Sequence, residues 1–185
     1  MSRTSSALTS DVRPPRAAGL GRRLELAGEL VCRPAATAAE LAAHHAVRRA
    51  VFVEAQGLFD GDDRDAHDDD PATVHVVGVT GETIAGAVRL YPLDDAGLWK
   101  GDRLAVLPRS RALQLGADLV RCAVALAGAA GGRRMVATVQ APNVRFFERL
   151  GWRATGPRTV FHDVEHQSME IPLVPAPGVR SPSGG

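Results

Sequence analysis

With 185 residues the chain is long enough for one domain with unstructured ends, and its core must be built mainly from alanine, valine and leucine, because aromatic residues are only 4%. A net charge of +1 excludes the strongly basic balance of a nucleic-acid binder. No stretch approaches the ~20 apolar residues of a membrane span and the start lacks the apolar run of a secretory signal, so a cytoplasmic protein with no membrane or nucleic-acid partner is expected.

Residues 1–23, rich in Ser, Arg, Ala and Pro without periodicity, are expected to be a disordered tail. The folded domain is expected over 24–174, and the Pro/Gly/Ser-rich residues 175–185 as a second tail. A first strand is expected over Leu24–Arg33. Thr37 and Glu40 form a T-x-x-E capping box ahead of a helix that runs to about Glu54, with Leu41, Val47, Val51 and Phe52 facing inward. His44 and His45 are adjacent on that helix and so point to different faces. They make a poor metal pair and are expected at the surface or a groove edge; no metal site is expected. Cys32 and Cys122 have no metal-type spacing and are expected to be buried free thiols.

Seven aspartates follow: Asp60, Asp62, Asp63, Asp65, Asp68, Asp69 and Asp70. Charge runs are usually solvated. The alternation could suit calcium, but the glycine turn and terminal glutamate of a calcium loop are missing. A third use is recognition of a cationic or amine substrate. Two β-rich runs, Thr73–Val79 and Thr83–Tyr91, flank Gly81-Glu82 and predict a hairpin. His75 reads as a packed or hydrogen-bonded strand residue. Arg89 needs an anionic partner if buried, and Asp65 or Asp68 could supply it.

Pro92–Gly101 reads as a loop. The segment from Asp102 to Ala127 then reads as a strand at Leu104–Leu107, a basic turn and a helix with Leu113, Ala117, Val120, Val124 and Ala127 on one face. A helix N-terminus flanked by Arg109 and Arg111 suits a pyrophosphate. A strand over Met135–Gln140, a short helix capped by Asn143 and stopped by Gly151, and strands over Trp152–Val164 and His166–Leu173 complete the order. The sum is an α+β (mixed α/β) domain with one central sheet. An exposed strand near the C-terminus could pair across a homodimer.

The central segment resembles the phosphate-binding motif of the GNAT acetyltransferase superfamily, Arg/Gln-x-x-Gly-x-Gly/Ala after a strand reading L-x-V-x-P. Leu104, Val106, Pro108, Arg111 and Gly116 match; Gln114 replaces the middle glycine. A second segment, Asn143 to Trp152, resembles the family's N-x-x-a-x-x-F-Y-e-k-L-G-F, with Asn143, Phe146, Glu148, Leu150, Gly151 and Trp152 in place. Phe147 stands where the family often has a tyrosine that protonates the departing thiolate. The front half, with Arg48, Phe52, Asp65, Asp68 and Arg89, is similar to acyl-homoserine-lactone synthases. The whole is similar to an acetyltransferase family from bacterial gene clusters that also encode a nitrilase.

The resemblance implies a GNAT fold: a mostly antiparallel sheet, splayed between the Leu104–Leu107 and Met135–Val139 strands, with helices on both faces. It implies acetyl-CoA or another acyl-CoA as co-substrate and a small-molecule amine as acceptor. The cofactor would contact Leu104, Val106, Arg109, Arg111, Ala112, Leu113, Gln114, Leu115, Gly116, Ala117, Asn143 and Phe147. A backbone N–H near Val106 or Leu107 would polarise the thioester. Arg48, Phe52, Asp68 and Arg89 would bind the acceptor, with Glu54, Asp65 and His166 as catalytic candidates. Three activities stay open: N-acyl transfer, an autoinducer-type synthase, and a catalytically silent acyl-CoA sensor.

Overall fold

A computed structural model describes residues 30–161 and 163–174, without the side chains of Ala112 and Leu113. The expected tails, and the start of the strand expected from Leu24, lie outside the described residues.

The first strand, β1 (Leu30–Pro34), leads to helix α1 (Ala38–Arg48). Thr37 caps it by accepting from the Glu40 N–H at 3.1 Å. Glu40 reaches back past the cap to the Ala36 N–H at 2.7 Å and is clamped by Arg33. Beyond Arg48 the helix widens into a π-helical stretch, Arg49–Ala55. A short 3-10 turn at Ala66–Asp68 then precedes the hairpin of β2 (Val74–Thr80) and β3 (Thr83–Pro92), turning at Gly81 with φ +58°. Next come β4 (Leu98–Val106), a 3-10 turn (Pro108–Leu113), α2 (Leu115–Ala129), β5 (Arg134–Gln140), α3 (Val144–Arg149), β6 (Arg153–Phe161) and β7 (Val164–Pro172).

All seven strands form one sheet in the order β1-β2-β3-β4-β5-β7-β6. Every neighbouring pair is antiparallel except β4 and β5. The helices lie on both faces. Val47, Val51 and Phe52 of α1 pack with Ala87 and Ala105 on one face. Leu115, Leu119 and Ala123 of α2 pack on the other with Val76, Val88 and Met135. There the paired glycines Gly78 and Gly86 let α2 come close: a Cβ on either would sit 2.7 Å from a leucine methyl of Leu115 or Leu119. The inward stripe of α2 therefore runs through Leu115, Leu119 and Ala123 as well as Ala117, Val120 and Ala127, while Val124, expected on it, is half-buried.

Two further expectations change. Pro92–Gly101 is not a loop throughout, because β4 begins at Leu98 and its first residues pair with both β3 and β5. The cysteines are free but only half-buried; burial pushes the Cys32 thiol up to about 12.

Candidate active site

The site begins where two strands part. β4 and β5 run parallel and pair only at Leu98–Arg134, Trp99–Met135 and Lys100–Val136. Beyond that rung they separate. β4 also carries a bulge: Arg89 pairs with Asp102 but Ala87 with Ala105, and Arg103 sits at φ +54°. A bulge bends its strand and re-aims the side chains around it. The gap opens into a cavity of about 530 Å³ that passes through the sheet. Its lining includes Val120, Phe147 and Trp152 toward α2 and α3, and Phe52, Gln56, Leu58 and Phe59 toward the end of α1. The π-helical stretch carries Phe52, and the chain leaving it carries Gln56, Leu58 and Phe59. π-turns are frequent at functional sites.

Among the residues expected at the site, Leu104, Asn143, Phe147, Phe52 and His166 line this cavity. Asn143 makes no capping bond to α3, contrary to expectation, which leaves its amide to the cavity. His166, on β7 opposite Gln140, is buried, and its Nδ1 lies 2.8 Å from the Val164 carbonyl. A carbonyl can only accept, so Nδ1 carries the proton and, in the neutral ring, Nε2 keeps its lone pair. Glu54 is exposed and paired with Arg49 at 3.3 Å, outside the cavity lining. Leu107, proposed alongside Val106 as a carbonyl-polarising donor, already gives its N–H to Ala85 O at 2.9 Å.

The expected phosphate seat lies at the start of α2. Gln114 precedes it in the left-handed conformation, φ 59° and ψ 7°. That explains the glycine in the family pattern, since only glycine adopts this backbone without a Cβ penalty. Relief of a left-handed penalty of about 1–2 kcal/mol outweighs the chain entropy glycine costs, about 0.5–1 kcal/mol, so Gln114→Gly is expected to raise stability modestly, seen as a higher urea midpoint; a lower one would contradict the cost assigned to the turn. Gly116 sits at the mouth of the splay, its position 3.7 Å from Val106 and Phe146 side-chain atoms once a Cβ is built. Those are ordinary contacts, so a side chain fits there without unfolding α2. Arg109 and Arg111 are exposed beside it, Arg111 with Nε 3.4 Å from Val106 O.

The acidic loop is not a solvated run throughout. Five of its seven aspartates are exposed, but Asp63 and Asp68 are buried against arginines. Arg48, fully buried, donates to Asp63 at 2.8 Å and also to Asp68. Arg89, also fully buried, forks onto Asp102 at 2.9 and 2.8 Å and onto Asp65 at 2.7 and 2.9 Å, and reaches Asp68 at 2.8 Å. Arg103 closes the set with a 3.0 Å bond to Asp65. The Arg89 fork holds the Asp65 carboxyl below its ordinary range. Arg48, Asp68 and Arg89, expected at the acceptor, are thus bonded to one another behind the cavity wall, and Asp102 and Arg103 carry the network into its lining.

Sequence reading missed Lys100, Thr138, Gln56 and Gln140. Lys100 is the sole lysine of the chain. It lines the cavity at the last paired rung, donates to Thr138 Oγ1 at 2.9 Å, and makes no ion pair among the described residues. Burial lowers its ammonium pKa, with Asp102 acting the other way. Gln140 reaches Gln56 at 3.1 Å and bridges the cleft. The only signal for either was its place at an element end.

The sequence profile of the Acetyltransferase (GNAT) family matches residues 36–152, more than half of the chain. The chain belongs to the GNAT acetyltransferase family. Solved structures agree on the fold. ElaA of Escherichia coli is 20% identical with a TM-score of 0.68, covering 77% of this chain and 97% of its own. An acyl-CoA N-acyltransferase from Pseudomonas aeruginosa is 21% identical at 0.63, covering 77% and 97%. The CoA-dependent acyl-homoserine lactone synthase BjaI, solved with SAM and isopentyl-CoA, is 18% identical at 0.63, covering 74% and 77%. No curated protein matches the sequence. Among the described residues of this GNAT chain, no helix is long and apolar enough to cross a membrane.

Proposed function

We propose that this GNAT chain transfers an acetyl or related acyl group from acyl-CoA to the amine of a small molecule. One juxtaposition carries the proposal: His166 lines the same cleft as Asn143 and Phe147, at the fork where β4 and β5 separate. The pyrophosphate would rest on the first N–H groups of α2, beside Arg109 and Arg111. The acyl-pantetheine arm would pass Leu104 and Asn143, and a backbone N–H near Val106 would polarise the thioester carbonyl. The amine would enter past Phe52. Its nitrogen bonds to the carbonyl carbon, the C–S bond breaks, and His166 Nε2 takes the amine's proton. Phe147 has no proton to give, so solvent in the cleft protonates the thiolate. Asp65 is a poorer base, because Arg89 and Arg103 occupy its oxygens. Arg48, Asp68 and Arg89 hold the acceptor wall in place rather than touching the acceptor. Lys100 would meet a carboxylate on the acceptor or the acyl chain. The expected homodimer would pair through the exposed edge of β6.

The test is turnover on a panel of amines, amino acids and S-adenosylmethionine included, with acetyl-CoA and longer acyl-CoAs. CoA thiol release and product mass are the readouts. The proposal expects one acyl mass added per CoA released. An acyl lactone formed from S-adenosylmethionine would favour the autoinducer-synthase alternative, which the BjaI likeness in fold keeps in play. Acyl-CoA binding with no product on any amine would favour the sensor.

A further inference from the structure

His44 and His45 do not diverge from one another as their adjacency on α1 suggests. Both turn toward His75 on β2, and the three rings stand edge to face with centroids 4.9 to 5.5 Å apart. One ring nitrogen from each lies within 4.8 Å of the others. His44 Nδ1, His45 Nε2 and His75 Nδ1 are buried and have no hydrogen-bond partner. The opposite nitrogens of two rings face carbonyls: His44 Nε2 is 3.3 Å from Val88 O, and His75 Nε2 is 3.3 Å from Asp68 O. Since carbonyls accept, those nitrogens carry the protons, and the inward Nδ1 atoms present lone pairs. Two lone pairs that converge in a buried space with no hydrogen-bond partner are unfavourable alone. A cation at their centre removes that cost.

We propose that His44, His45 and His75, together with Asp68, form a structural binding site for a zinc-class transition-metal ion. Zinc–nitrogen bonds of about 2.0–2.1 Å at tetrahedral angles put imidazole centroids about 5 Å apart, which matches the spacing here. Asp68 Oδ1 lies 3.5 Å from His45 Nε2 and 4.0 Å from His75 Nδ1, in place for a fourth ligand. The backbone carbonyls behind His44 and His75 fix their tautomers, as partners of metal-binding histidines commonly do. Three imidazoles and one carboxylate suit zinc better than the oxygen-seeking calcium or magnesium. Four protein ligands close the site, so its role is to tie α1, the Ala66–Asp68 turn and β2 together rather than to activate substrate. Arg48 opposes a cation nearby, and Asp63 and Asp68, both bonded to Arg48, offset it.

The test uses the full chain, free of any affinity tag, after chelator treatment. Cobalt(II) titration is expected to give the visible bands of a tetrahedral site at one equivalent per chain. Zinc should displace the cobalt and raise the thermal midpoint. Ring-proton signals of three of the six histidines should shift with cobalt, a readout that needs no variant. His45→Ala, which alters the most exposed of the three side chains, is expected to stay folded and bind more weakly by over about 100-fold, the upper end of the cost of losing a mere outer partner of a ligand. A folded chain that binds neither ion below about 100 μM overturns the site, leaving the space to water. Binding unchanged in His45→Ala, or a shift of other histidines, also overturns it.

Discussion

Arg89→Met is expected to destabilise the chain by about 3–5 kcal/mol, the usual cost of removing one partner from a buried ion pair. Arg89 is fully buried and bonds Asp65, Asp68 and Asp102, so its loss leaves Asp68 buried with one cation fewer and Asp102 with its guanidinium fork gone. A domain of this size has about 5–15 kcal/mol in total. The variant should therefore unfold at a much lower urea concentration or fail to accumulate. Arg89→Lys keeps the charge but not the planar fork that serves Asp65 and Asp102 together, and is expected to recover less than half of the loss. Arg49→Met is the contrast. Arg49 is 52% exposed and its ion pair with Glu54 lies in solvent, so a change within about 0.5 kcal/mol is expected. Equal costs for Arg89→Met and Arg49→Met would show that the arginine–aspartate network does not hold this face of the sheet.

The second large effect concerns His166. Asparagine there keeps an N–H positioned like Nδ1 for the Val164 carbonyl but removes Nε2. His166→Asn is expected to lower kcat/KM about 10²- to 10⁴-fold, the range for a general base, with acyl-CoA affinity unchanged. Affinity and turnover falling together would assign His166 to binding. Unchanged turnover would move the base elsewhere in the cleft.

The strand end, basic turn and helix expected to seat the phosphates were legible from Leu104 to Ala127 because their apolar spacing and flanking arginines are local features. The hairpin at Gly81 and the stop at Gly151, with φ +58° and +89°, were legible for the same reason. What stayed hidden depends on distant parts of the chain. Leu98–Gly101 reads as loop beside Pro92 and Gly97, and becomes strand because β3 and β5 flank it. The acidic run reads as solvated; Asp63 and Asp68 are buried because Arg48 and Arg89 reach them from α1 and β3. A helical-wheel rule separates His44 from His45, but His75, thirty positions away, supplies the point toward which both turn. Lys100 carries no local signal; its place at the fork comes from the pairing of β4 with β5.

The most direct measurement is calorimetric titration of the full chain with acetyl-CoA and longer acyl-CoAs, with Gly116→Glu as control. The glutamate has room to fold, since Gly116 meets only ordinary contacts at 3.7 Å, and an acid suits the first turn of a helix. It would set negative charge where the pyrophosphate is expected. Saturable binding by the parent chain, about 100-fold weaker in the variant, or about 2.7 kcal/mol, is the predicted result. No binding of any CoA species, or equal binding by both chains, would contradict the placement of the acyl donor in this cleft.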